Sequence, residues 1–188
     1  MKDVLAIEKE ELPLIVFSDS SSGFIQWIIK ARTKGTYNHV MWAHKSRKFA
    51  SQGNIYSEVP FGRYEKYGNR LKFLQIKGLT FAQKKMIVFS IENKLKLPWH
   101  KRLYDWFGVI IGQAVGLKGI NTPWLDYCSE DVPQHLKENK ELLKSIGNNG
   151  LRDFIDHIPK HGSPEDLNKY FKQNPDYTMV YAKWDSDD

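Results

Sequence analysis

The chain carries a single cysteine, Cys128, within Trp-Leu-Asp-Tyr-Cys-Ser-Glu-Asp-Val at 124–132. A lone thiol closes no internal disulfide and builds no cysteine metal site, so it is either a small buried hydrophobe or a nucleophile. Its surroundings read as a helix start. Asp126 is of the capping type, Cys128 to Asp131 fill a first turn, and Pro133 suits a helix only near its beginning. Unpaired N–H groups and the positive end of the helix dipole favour a thiolate there, whereas Glu130 and Asp131 oppose it.

A cysteine nucleophile needs a base within hydrogen-bond reach and a group that orients the base. The six histidines are His39, His44, His100, His135, His157 and His161. His39 sits in the apolar strand candidate Asn-His-Val-Met-Trp-Ala at 38–43, which would hold its ring firmly. His44 falls at a hairpin turn and reads as solvated, and His100 follows Pro98-Trp99 in a loop. His135 shares a helix face with Cys128 but lies about 10 Å further along the axis. His157 and His161 have i, i+4 spacing, yet Pro159 breaks the helix that would align them on a metal. Twelve residues after His39 come Ser51 and Gln52, on the strand that returns alongside it. Either can hydrogen-bond an imidazole, so Cys128, His39 and one of Ser51 or Gln52 form the candidate catalytic set. No G-x-S-x-G elbow, phosphate loop, dinucleotide fingerprint or H-E-x-x-H occurs, and this chemistry requires no cofactor and no metal.

The elements that must position these groups follow from periodicity. Pro13 to Ser18 reads as a buried strand, with Asp19 opening the polar run Asp-Ser-Ser-Ser-Gly. Phe24 to Arg32 reads as an amphipathic helix. Strands are expected at 38–43, 49–52, 55–59 and 71–76, giving a small, mostly antiparallel sheet. From Thr80 the period becomes helical. Thr80-x-x-Gln83 is a capping-box match before a helix over 81–95, and further helices are expected at 104–115, 128–145 and 163–171. The last opens Ser163-Pro164-Glu165-Asp166, a cap, a proline at the first helical position and acids in the first turn. Gly108, Gly112 and Gly116 form a small-residue ridge suited to close helix packing, and 177–183 alternates like a closing strand. Strands early and helices late make the class α+β, in one domain over 1–188 with flexible ends at 1–11 and 185–188.

This order of elements resembles the circularly permuted papain-like hydrolases, the YiiX-like branch of the NlpC superfamily. The matching pieces are Ile15-Val16-Phe17-Ser18, Ser22-Gly23-Phe24-Ile25-Gln26-Trp27, Tyr37-Asn38-His39-Val40, Tyr104-Asp105-Trp106-Phe107-Gly108, Tyr127-Cys128-Ser129-Glu130 and Ser163-Pro164-Glu165-Asp166-Leu167. The resemblance implies a permuted papain-like fold, its small antiparallel sheet packed against a late helix that bears the cysteine. It implies that Cys128 is the nucleophile and His39 the base, with the Cys128 N–H in the oxyanion hole. Tyr127 and Asp19 belong with Cys128 on the oxyanion and substrate side. Family members usually carry His, Glu, Asn or Gln as the third polar residue, where this chain has Ser51 with Gln52 adjacent. Trp27, Trp42, Trp106 and Trp124 are available to line a cleft. The expected substrate is a peptide, amide or acyl compound, of cell-wall or lipid origin in such families. A papain-like scaffold without catalysis, serving in a virion or a cell-wall complex, is the alternative.

Composition narrows the remaining classes. At 188 residues, 41% hydrophobic and 27% charged, the chain suits one globular core. The N-terminus lacks an apolar signal core, and the run 103–117 is too short and polar for a membrane span. A cytoplasmic or virion-associated protein is expected. The net charge of +6 comes from Lys84-Lys85, Lys94, Lys96, Lys101-Arg102 and scattered lysines. Such an excess usually means a solvated basic face and also attracts nucleic acid, teichoic acid or anionic lipid. No zinc-finger spacing or nucleic-acid module is present, so no specific nucleic-acid partner is expected.

Overall fold

The run Leu-Ile-Val-Phe-Ser-Asp at 14–19 shows no alternation of apolar and polar residues, and its place in the fold explains why. In a computed structural model, which describes residues 7, 11–19, 35–66, 70–103, 128–139, 149–159 and 163–184, it forms strand β1 (Leu14–Asp19) inside a six-stranded sheet. Strands β2 (His39–Lys45), β3 (Lys48–Gln52), β4 (Tyr56–Pro60), β5 (Arg70–Ile76) and β6 (Thr178–Trp184) complete it in the order β4-β3-β2-β1-β5-β6. Every neighbouring pair is antiparallel. Both faces of β1 are covered, so both must be apolar.

Among the described residues the helices are α1 (Gly62–Lys66), α2 (Phe81–Lys96), α3 (Cys128–Glu138), α4 (Asn149–His157) and α5 (Pro164–Gln173), with a 3-10 turn at Trp99–Lys101. One core joins Ile15, Phe17, Val40 and Trp42 of the sheet to Ile87 and Ile91 of α2, Val132 and Leu136 of α3, Phe154 of α4 and Phe171 of α5. The other face of the sheet, with Val16, Met41, Phe49 and Phe73, packs on Phe61 and on Tyr64 of α1.

The two capped helices begin where their sequences require. The Gln83 N–H donates to Thr80 Oγ1 at 3.3 Å, and the Thr80 N–H donates to Gln83 Oε1 at 2.7 Å. The Asp166 N–H donates to Ser163 Oγ at 3.2 Å, and the Ser163 N–H donates to Asp166 Oδ2 at 2.9 Å. The cysteine helix spans Cys128–Glu138 and contains Pro133, and positions 140–145 of the expected helix lie outside the described residues. Helices α1 and α4 are additions to the expected set: α1 is only 5 residues long, and α4 buries Leu151, Phe154 and Ile155 at helical spacing. The expected helices at 24–32 and 104–115, the glycine ridge and the end 185–188 lie outside the described residues. No helix among the described residues is long and apolar enough to cross a membrane.

Candidate active site

Strand alternation places His39, Met41 and Ala43 on one face of β2, and Phe49 and Ser51 on the same face of β3. His39 Nε2 lies 2.8 Å from Ser51 Oγ, and Ser51 Oγ lies 3.4 Å from the Tyr64 hydroxyl. Ser51 and Tyr64 are both buried. Gln52, the neighbouring alternative, turns elsewhere. Its Nε2 donates to the Arg102 carbonyl at 3.1 Å, beside the mutual bonds between Tyr56 and Arg102 that tie β4 to the segment after α2. A one-residue step along a strand reverses the face, so Ser51 and Gln52 cannot both reach the imidazole.

The His39 residue keeps some accessible surface, but its ring is closely surrounded by protein. Loss of hydration dominates and lowers its pKa from 6.5 to about 4, against the raising effect of the Asp131 carboxylate and with the help of the Arg63 guanidinium. His39 is therefore a neutral imidazole at pH 7. If Nε2–H donates to Ser51, Nδ1 keeps its lone pair and is free to accept a proton.

Cys128 is the first residue of α3 and is 3% exposed. The helix packs against β2 and β3. Its apolar residues Val132 and Leu136 sit with Val40 and Trp42, on the face of the sheet opposite to His39 and Ser51. The first turn of α3 nevertheless comes within electrostatic reach of the histidine group. Asp131 acts on His39, and Cys128 acts on Tyr64, whose hydroxyl burial pushes upward in pKa.

The acidic first turn is internally compensated. Asp131 Oδ1 accepts from Lys94 Nζ at 3.0 Å and lies 3.2 Å from His135 Nε2, with all three groups buried. Burial alone would raise the Asp131 carboxyl; Lys94 and His135 outweigh it and hold the pKa at about 2. His135 Nδ1 is 2.7 Å from Ser90 Oγ, and Lys94 Nζ stands 4.7 Å above the Tyr56 ring. His135 thus serves a buried polar network rather than the thiol. Among the buried residues of α2, Lys94 is the one charged residue.

A second network fixes the chain entering His39. Glu165 Oε2 accepts the Thr36 N–H at 3.1 Å and the Tyr37 N–H at 3.4 Å. Asn168 Nδ2 donates to Glu165 Oε1 at 3.1 Å, and Lys72 Nζ donates to Asn168 Oδ1 at 2.7 Å. Burial, with Lys172 and Lys183 nearby, lowers the Lys72 pKa to about 8. Gly35 permits this approach, since a Cβ there would lie 2.6 Å from the Glu165 Cβ. The Ser-Pro-Glu-Asp segment singled out in the sequence is therefore a cap at Ser163 and an anchor at Glu165.

Of the other expected residues, Asp19 ends β1 at the same edge as His39, one residue beyond Ser18, which pairs with His39. Tyr127 and Asp126 lie outside the described residues, as do Trp27, Trp106 and Trp124. Trp42 is a core residue, 1% exposed. His44 is a correction. It is buried rather than solvated, with Nε2 3.2 Å from Glu58 Oε2 of β4, and the β2–β3 pairing is irregular between Ala43 and Lys45. His100 and His157 are exposed, and His157 Nδ1 is 2.8 Å from the Asp153 carbonyl. His161 lies outside the described residues. Compared with protein-family models, with curated proteins and with solved structures, the chain matches none.

Proposed function

We propose that the protein is a cysteine hydrolase of the permuted papain-like type, cleaving an amide, peptide or thioester bond. The observation that supports it is the 2.8 Å contact of His39 with Ser51, at the edge of the sheet reached by the first turn of the cysteine helix. In this reading the Cys128 proton passes to His39 Nδ1 and the thiolate sulfur bonds to the substrate carbonyl carbon. The Cys128 N–H, at a helix start, donates to the oxyanion. Collapse of the tetrahedral species breaks the bond to the amine or thiol, which leaves with the proton held by His39. Water, deprotonated by His39, then releases the acid and restores the thiol. Ser51 keeps the imidazole in one orientation throughout.

A catalytically inert papain-like scaffold is the second reading, and a specific observation favours it: the apolar side of α3 and the His39 side chain belong to opposite faces of the sheet. Turnover of a peptide, amide and acyl-thioester panel, with Cys128→Ala and His39→Ala as controls, separates the two. Hydrolysis abolished by both substitutions supports the enzyme. Absence of turnover, with iodoacetamide labelling that titrates near the ordinary thiol value of about 8.5, establishes the scaffold.

A further inference from the structure

Helix α2 is apolar on two sides. Ile87 and Ile91 enter the core, while Phe81 is 64% exposed, Phe89 is 54% exposed and Met86 is 36% exposed. With successive residues about 100° apart, Phe81, Lys85, Lys96, Phe89, Asn93, Met86 and Leu97 spread over an arc of about 160° that faces away from the core. Phe89 stands at its middle. Trp99, 62% exposed, extends the same kind of surface into the following turn. An outward face of this composition is the reverse of an ordinary surface helix.

Charge is concentrated on the same segment. Residues 81–102 hold six lysines and arginines and one acid, in a chain whose whole net charge is +6. Lys94 turns inward to Asp131, and the acid, Glu92, falls within the arc between Phe81 and Lys85, where it is paired with Lys45 at 3.3 Å. Lys85, Lys96 and Lys101 remain exposed around the rings, with Lys85 Nζ 4.5 Å from the centre of the Phe81 ring.

We propose that the outward face of α2 and the Trp99 turn form a docking surface for an anionic lipid bilayer. Phe81, Met86, Phe89, Leu97 and Trp99 enter the boundary between headgroups and acyl chains, and the lysines meet lipid phosphates from stems long enough to stay at that depth. The choice of lipid over nucleic acid follows from the side chains. Met86 and Leu97 offer no ring for a base to stack on, and a single convex helix provides no groove that tracks a phosphate backbone. The surface stands whether or not Cys128 is catalytic.

The test is co-sedimentation of the whole protein with phosphatidylcholine vesicles and with vesicles that also contain phosphatidylglycerol. Binding is expected only to the second, and it should weaken as salt rises. Phe89→Glu and the pair Lys85→Glu with Lys96→Glu should each lower partitioning by about tenfold or more. Because these side chains are exposed, the urea midpoints of the variants should match the parent, which separates lost docking from lost folding. Equal binding to both vesicles, no binding to either, variants that partition like the parent, or displacement from vesicles by single-stranded DNA would each overturn the proposal.

Discussion

Lys94→Met isolates the buried charge pair behind the cysteine helix. The substitution keeps most of the side-chain stem but removes the ammonium from Asp131 Oδ1, 3.0 Å away, at a site where the two side chains are 8% and 1% exposed. Two routes give the cost. Asp131 titrates at about 2 instead of 3.8, which corresponds to roughly 2–3 kcal/mol of preference for the charged form. Stripping the partner from a buried ion typically costs about 3–5 kcal/mol. His135 stays at 3.2 Å and retains part of the stabilisation, so a loss of about 3 kcal/mol is expected. The pH dependence makes the cause visible. In the parent, the folded pKa lies below the unfolded one, so the stabilisation is complete above 3.8 and is lost as pH falls towards 2. In Lys94→Met the lowering influence of the ammonium is gone and the folded pKa of Asp131 rises from its value in the parent, so protonation at low pH relieves the variant. The gap between parent and variant, read from urea midpoints, should narrow as the solution is acidified from neutral. Adding Asp131→Leu should recover most of the loss. A cost under about 1 kcal/mol, or a gap that widens on acidification, would refute the account.

Other expectations follow from the same geometry. Gly35→Ala places a methyl group 2.6 Å from the Glu165 Cβ and should cost about 1–3 kcal/mol; the cost should fall in a Glu165→Ala background, and strict additivity would show that no clash exists. His39, with a folded pKa of about 4 against an unfolded 6.5, binds fewer protons folded than unfolded between those values. It should cost the fold up to about 3 kcal/mol as pH falls from 6.5 to 4, and its ring NMR signals should stay unshifted down to about pH 5; titration near 6.5 would contradict its burial. Ser51→Ala should slow any Cys128-dependent turnover by about tenfold or more, whereas Gln52→Ala should leave the rate nearly unchanged and cost about 1 kcal/mol through the lost bond to Arg102. The reverse ranking would make Gln52 the orienting residue.

Local signals were legible where local physics decides. Thr80-x-x-Gln83 and Ser163-Pro164-Glu165-Asp166 mark helix starts because capping is satisfied within four residues of chain. The unbroken apolar runs at 14–17 and 40–43 mark strands buried on both faces. Helix α1 escaped notice because a 5-residue helix carries hardly more than one turn of period. The burial of His44 is not legible locally, because its partner Glu58 comes from β4, 14 residues further along the chain.

The sequence by itself determined the α+β order of elements, the isolation of Cys128 at a helix start, and the nearness of His39 to the Ser51–Gln52 pair along a hairpin. It could not choose between Ser51 and Gln52, because that choice is the phase of one strand against another, set by packing across the sheet. Nor could it reveal that Asp131 is neutralised by Lys94 from a helix 37 residues away, or that Glu165 reaches back 129 residues to hold the chain before His39. Such contacts depend on which elements share a core, and only the folded chain brings them within hydrogen-bond range.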